Sequence, residues 1–399
     1  MEANMKCLAC GNDRTLPVVS FGNQPAANLL LDRRTDPFEL AELGVNGCVS
    51  CGHLQQIEFF SPKKLFEHYL YQSGTSQSLS KYFSWLAKNL GEKFNRGSML
   101  EIASNDGSFL EQAGRYFDKK VGIDPAKNIC SIATSKGLEI INDFFPSKQL
   151  TGTFDCIVAM NVIAHTPSPI NVMEGISAHL APGGMAFVQT SQADMLENGE
   201  YDTIYHEHYS FFSISSMSAL ANRSGLEVFR TDVVDVHGGS FAFFLRRLSD
   251  KVHFEYADNS LVCRSVVLAD QSANWQSKFE SYKNKVQGSI NSTKSFIQAT
   301  RGLKLAFVGV AAKSVTLIQA TGLEPDYVLD EAPLKIGKYV AGQNHVVLPL
   351  AYASEMPDNV VFVIGAWNFK TELAAKIRSF RGRPSLFCTI APNPEFWIH

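Results

Sequence analysis

The chain has 399 residues, 45% of them hydrophobic, and sets 36 Lys and Arg against 39 Asp and Glu for a formal net charge of −3. That length accommodates two or three domains with buried cores, and the lack of a basic excess argues against a nucleic-acid partner, because phosphate neutralisation supplies such affinity. No apolar run is long enough to span a bilayer and the start, MEANMKCLAC, lacks a signal-peptide core, so a soluble cytoplasmic protein without a membrane partner is expected.

Residues 1–60 are rich in turns and hold two matched pairs, Cys7-Leu8-Ala9-Cys10 and Cys48-Val49-Ser50-Cys51. Each pair places two thiolates on one tight knuckle, and Gly11 and Gly52 follow where the backbone must turn around a metal. Four sulfurs suit tetrahedral zinc in a closed, structural site with no open position for substrate. The other cysteines, Cys130, Cys156, Cys263 and Cys388, are scattered. The set therefore reads as a metal site plus ordinary thiols, not a disulfide framework.

Residues 61–258 are expected to form the central domain. Apolar residues at helical spacing over 61–95 predict a helical lead-in. Over 96–245 short apolar runs alternate with amphipathic stretches, SMLEIA, KKVGIDP, LEIIN, FDCIVAMN, GMAFVQT and SFAFFL, which predicts βαβ units and a mostly parallel sheet. The first run ends at Glu101 and passes through Asn105, Asp106 and Gly107 into a helix, the first crossover of a doubly wound sheet. Only one glycine is present, so this is not the dinucleotide fingerprint. Glu101 would repel a pyrophosphate and suits a cationic amino-acid cofactor. Asp124, before Pro125, ends the second strand, where a carboxylate can accept both ribose hydroxyls. Asp143 ends the third and faces the place of an adenine edge. Asn161 ends the fourth, with His165 just beyond it near the transferred group. This order of motifs predicts a class I, Rossmann-like S-adenosylmethionine (SAM) methyltransferase domain. Residues 259–300 are polar with helical spacing and read as a connector. Residues 301–399 restart the alternation with LKLAFVGV, DYVLDE, VVFVIGAW and SLFCTI, a second, smaller Rossmann-like α/β domain.

Tyr205-His206-Glu207-His208 concentrates a phenol and three titratable groups in four residues. In an extended segment Tyr205 and Glu207 face one way and the two histidines the other; in a turn Tyr205 and His208 converge. Methylation of carbon needs a carbanion-like nucleophile. A ketone acidifies the neighbouring C–H, so the chemistry calls for a base and for a donor to the enolate oxygen. Histidine serves as the base near neutral pH, and a phenol or second histidine serves as the donor. The motif alone does not rank His206 against His208. His237, before Gly238-Gly239, sits at a tight turn near this site. Lys313, after Gly309, can meet a phosphate by charge.

The ordered pieces resemble the sugar C-methyltransferase family over nearly the whole chain. The resemblance rests on the four-Cys module, Pro25-Ala26-Ala27-Asn28, Tyr69-Leu70-Tyr71-Gln72-Ser73-Gly74-Thr75-Ser76, Glu101 to Gly107, Asn161-Val162-Ile163-Ala164-His165, Gln189-Thr190, Tyr205 to Phe212, His237-Gly238-Gly239-Ser240, Gly309 to Lys313, Asp330 to Gly337 and Trp367-Asn368. Where the family has Gly, Pro and Arg, this chain has Ser314, Ala341 and Ala242. The resemblance implies SAM as methyl donor and a 4-keto-6-deoxy-hexose linked to dTDP or GDP as substrate. It carries the base onto His208, with Tyr205, Glu207 and Tyr71 lining the sugar, and leaves His206, His237 and Lys313 as substrate contacts. The alternative is a zinc-containing methyltransferase of rRNA or of another small molecule.

Overall fold

The computed structural model of the chain describes residues 5–66, 73–75, 77–94, 96–191, 195–236, 238–250, 272–391 and 394–399. Tyr71 and His237, Cys263 and the first part of the expected connector lie outside the described residues.

The N-terminal module is more regular than its turn-rich sequence suggests. It contains β1 (Thr15–Gln24), β2 (Leu30–Leu31), β3 (Ala41–Cys48) and β4 (Leu54–Gln56). The antiparallel β1–β3 ladder shifts register between Pro17 and Val19 and again between Ser20 and Asn23; Pro17 has no N–H to give a ladder. Buried Val18, Leu43, Val45 and Leu54 form a core with Trp275 and Phe279 of the helix Trp275–Ala299.

In the central domain the helices Pro62–Phe66 and Gln77–Gly91 precede the sheet. Its strands are β5 (Arg96–Ile102), β6 (Phe117–Ile123), β7 (Ile140–Ile141), β8 (Phe154–Met160) and β9 (Leu180–Ser191). After β10 (Ser210–Phe211), which belongs elsewhere, come β11 (Leu226–Val234) and β12 (Ser240–Arg247). The order β11-β12-β9-β8-β5-β6-β7 is parallel from β9 to β7, with an antiparallel β12–β11 hairpin at one edge. Side chains alternate between two cores. Leu100, Ile102, Ile157 and Val188 meet Ile176 and Leu220 on one face, and Met99, Val158 and Phe187 meet Leu86 and Leu110 on the other. Strand order reverses between β5 and β8, so the ligand crevice of such a sheet lies at the carboxyl ends of these two strands. β11 escapes the sequence pattern because Arg230, Thr231 and Asp232 interrupt its apolar run.

Helix Trp275–Ala299 buries Trp275, Phe279, Tyr282, Val286, Ile290 and Phe296, a stripe at helical spacing. Beyond it lie β13 (Lys304–Val308), β14 (Tyr327–Asp330), β15 (Tyr339–Val340), β16 (Val347–Pro349), β17 (Val360–Ile364), β18 (Leu386–Thr389) and β19 (Glu395–Ile398). Six of them form the sheet β16-β14-β13-β17-β18-β19, parallel except for β19. β15 instead pairs with β2, tying the C-terminal domain to the N-terminal module. No helix among the described residues is long and apolar enough to cross a membrane.

Candidate active site and metal centre

Cys7, Cys10, Cys48 and Cys51 bring their sulfurs within 4.8 Å of one another. The Cys7–Cys51 and Cys10–Cys48 separations are 3.7 and 3.6 Å, close to the edge of about 3.8 Å expected for a tetrahedron of Zn–S bonds. The two knuckles are built alike: Gly11 and Gly52 donate to the carbonyls of Cys7 and Cys48 at 2.9 and 2.8 Å, each at positive φ. A Cβ on Gly52 would lie 2.3 Å from the Trp275 ring, so this position needs glycine for space as well as for φ. The donor set and its spacing fit zinc.

At the carboxyl end of β5 the chain turns sharply. Ala103 and Asn105 have φ of 54° and 50°, and Asn161 at the end of β8 has 54°. Left-handed non-glycine residues are costly and gather where a site over-determines them. Gly107 starts the next helix at φ 73°, and a Cβ there would meet Leu138 at 2.3 Å. Asp124 accepts the Asn105 and Ala126 N–H groups at 3.0 and 2.8 Å, joining the β5 and β6 turns. Asp106 accepts from the N–H of Ser108 and of Gly74, and Asn105 from that of Ser73, which brings the lead-in segment over the turn. Glu101 is buried, its Oε2 without a hydrogen-bond partner among the described residues. Burial, then Asp124 and Asp106, push its carboxyl well above the usual range. An orphaned carboxylate oxygen in an acidic crevice suits a cationic ligand, which is the character of the SAM amino-acid end. Asp143 follows β7, its carboxyl held low mainly by the Ser147 hydroxyl at 2.6 Å.

The segment Tyr205–His208 forms a turn, His208 N–H donating to the Tyr205 carbonyl at 2.8 Å. The two rings therefore converge, with centroids 4.0 Å apart and the Tyr205 Oη 2.8 Å from His208 Nε2. His208 Nδ1 lies 2.9 Å from the Thr203 carbonyl. A carbonyl only accepts, so Nδ1 carries the proton and Nε2 receives the phenol hydrogen. His165, beyond β8, stands edge-on to His208 at 4.7 Å. Glu207 is enclosed and accepts from Asn28 Nδ2 at 2.6 Å; burial raises its carboxyl to about 7, with Asn28 opposing.

His206 takes another direction. Its ring packs edge-on against Phe60, Nε2 lies 3.3 Å from the Ala41 carbonyl, and burial lowers its pKa to about 4. His206, expected as a substrate contact, packs its ring on the N-terminal module, while the turn brings Tyr205 and His208 together. Lys313 lies in the first turn of the helix Ala312–Thr321, its ammonium 5.3 Å above the Trp367 ring. Two members of the site were not read from sequence. The Thr203 carbonyl is backbone and leaves no signal. Asn28 is separated from Glu207 by 179 positions, so no spacing links them.

Comparisons with known proteins agree with this architecture. Residues 7–66 match a zinc binding domain family, 71–231 a methyltransferase domain family and 235–392 the C-methyltransferase C-terminal domain family. The chain is similar to C-methyltransferase NovU of Streptomyces niveus, 29% identical over 98% of this chain and 96% of that protein. It is similar over 38% of its length to ubiquinone biosynthesis O-methyltransferase of Aeromonas salmonicida, at 23% identity over 71% of that protein. A crystal structure of an S-adenosylmethionine-dependent methyltransferase from Clostridium acetobutylicum aligns with 44% of this chain and 93% of that one, at 10% identity and a TM-score of 0.36. With its thiolate cluster and the three domain-family matches in order, the chain is a SAM-dependent methyltransferase whose catalytic domain is flanked by matches to a zinc-binding and a C-methyltransferase C-terminal domain family.

Proposed function

We propose that this enzyme methylates C3, beside the ketone of a 4-keto-6-deoxy-hexose linked to dTDP or GDP, through an enolate formed by His208. The observation that carries the reading is the Tyr205–His208 hydrogen bond backed by the Thr203 carbonyl. It fixes Nε2 as the basic nitrogen. In the proposed step the C3–H bond breaks, its electron pair forms the C3–C4 double bond of the enolate, and the ketone oxygen takes the negative charge. The proton ends on Nε2, directly or through the phenol oxygen. Nε2–H then donates to Tyr205, and the phenol hydrogen is released to turn toward the enolate oxygen. Base and oxyanion donor are thereby one coupled pair. Tyr71, Glu207 and His237 are assigned to the sugar.

SAM supplies an electrophilic methyl group to the resulting carbon nucleophile. Glu101, Asn105, Asp106, Gly107, Asp124, Pro125, Asp143, Asn161 and His165 are assigned to its crevice. Lys313, at the positive end of its helix, is assigned to the diphosphate. The test is a panel of dTDP- and GDP-linked 4-keto-6-deoxy-hexoses with product mass and NMR analysis. One member should gain a methyl group on C3. His208→Ala should lower turnover by about 10²–10⁴-fold while SAM still binds, and should abolish exchange of the C3 hydrogen with deuterated water. A panel without a methylated product, or full activity in His208→Ala, would overturn the reading.

A further inference from the structure

Residues 200–209 belong to no helix or strand, so their geometry is set by groups reaching in from other elements. Tyr282 Oη donates to the Glu200 carbonyl at 2.8 Å, Thr316 Oγ1 to the Ile204 carbonyl at 3.3 Å, and Gln56 Nε2 to the Tyr205 carbonyl. One bond differs from these in kind. Trp367 Nε1–H, from the short 3-10 helix Trp367–Phe369 after β17, donates to the Asp202 side chain at 2.8 Å, next to the residue whose carbonyl holds His208.

Asp202 is fully buried, and its second oxygen, Oδ1, has no hydrogen-bond partner among the described residues. A buried carboxylate held by one indole N–H is a poor means of gluing two domains together. Enclosing a charge costs more than one such bond returns, and an apolar pair of similar volume would serve stability better. The indole is itself polarised, since the Lys313 ammonium lies 5.3 Å over its ring. Cation, ring, N–H, carboxylate, Thr203 carbonyl and imidazole thus form one continuous series from the C-terminal domain to the base.

We propose that Asp202 and Trp367 are positioning residues: the C-terminal domain holds the Asp202 carboxylate, and through it the Thr203 carbonyl that keeps the His208 proton on Nδ1. The consequence for turnover rests on the enolate reading above; the consequence for the imidazole does not. Trp367→Phe keeps a ring under Lys313 and removes the donor. Asp202→Asn keeps an acceptor for the indole and removes the charge.

The measurement is a long-range proton–nitrogen correlation on ¹⁵N-histidine-labelled full-length, zinc-loaded protein, with the His208 signals assigned through His208→Gln. The wild type should show His208 with a protonated Nδ1 and a bare Nε2. Trp367→Phe should average the two nitrogens, and Asp202→Asn should retain the wild-type pattern. With dTDP-4-keto-6-deoxyglucose as probe, Trp367→Phe should lower kcat by about ten- to a hundredfold, the usual effect of loosening a supporting contact, with KM for SAM unmoved. A folded Trp367→Phe protein with the wild-type imidazole pattern would overturn the proposal. If that variant does not fold, Asp202→Ala carries the same test, and loss of fold in both would make the contact a scaffold and sink it. A shifted pattern in a protein that methylates no keto-sugar would leave this inference standing and remove the substrate reading instead.

Discussion

Glu207→Gln tests the electrostatics of the Tyr205–His208 turn without disturbing its shape. Glu207 is 3% exposed, with Asn28 as its hydrogen-bond partner at 2.6 Å, and burial moves its carboxyl from about 4.5 to about 7. A change of that size corresponds to about 3 kcal/mol against the ionised form in the folded chain. The folded state holds this proton more tightly than the unfolded state. The group therefore costs nothing below pH 4.5, where both states are protonated; stability falls as pH rises from there to about 7, and the full cost applies above it. Glutamine cannot ionise. The unfolding free energy of Glu207→Gln minus that of the wild type should accordingly grow by up to about 3 kcal/mol between pH 4.5 and pH 8. Denaturant unfolding of both zinc-loaded proteins at the two pH values measures it, and the pH dependence of the thiolate site cancels in the difference. A difference that stays flat, or shrinks, with pH would show that the carboxyl is not desolvated as described.

Three further perturbations address the other parts of the site. Tyr205→Phe removes the phenol that donates to His208 at 2.8 Å and should lower methyl transfer by about 10²-fold with SAM affinity intact, read by product mass spectrometry and calorimetry. Cys48→Ser breaks the four-sulfur cluster; zinc per chain by metal analysis should drop from about one, and the melting temperature and solubility should fall with it, because metal affinity is folding energy in such modules. Asp124→Ala frees the Asn105 and Ala126 N–H groups and should weaken SAM binding by about 1–3 kcal/mol in calorimetry.

What was legible in the sequence is what short-range pattern encodes. Cysteines three apart, each pair followed by glycine, converge as the knuckle requires, and the β5 and β6 runs deliver Glu101 and Asp124 to adjacent strand ends because both strands are parallel and buried on two faces. The turn reading of Tyr205–His208 was one of two open geometries, and the Tyr205 carbonyl selects it by accepting the His208 N–H. What escaped depends on distance or on backbone. Asn28 meets Glu207, and Trp367 meets Asp202, across separations of 179 and 165 positions. β16 spans only three residues, too short for a periodicity to declare it.

β10 gives the molecule a property that no single domain has. Ser210 and Phe211 lie just past the Tyr205–His208 turn, yet their ladder partners are Gln55 and Leu54 of β4, just beyond the second cysteine knuckle. The His53 ring sits beside the same strand, 3.2 Å from the Ser210 hydroxyl. The sheet that carries Cys48 at the end of β3 thus also carries two residues from just past the Tyr205–His208 turn, and a sequence border near residue 60 is no mechanical border. Stripping the metal should therefore slacken the Tyr205–His208 turn before the crevice at the ends of β5 and β8, so that a chelated enzyme keeps its grip on the cofactor while losing turnover, a split that calorimetry and product analysis would read.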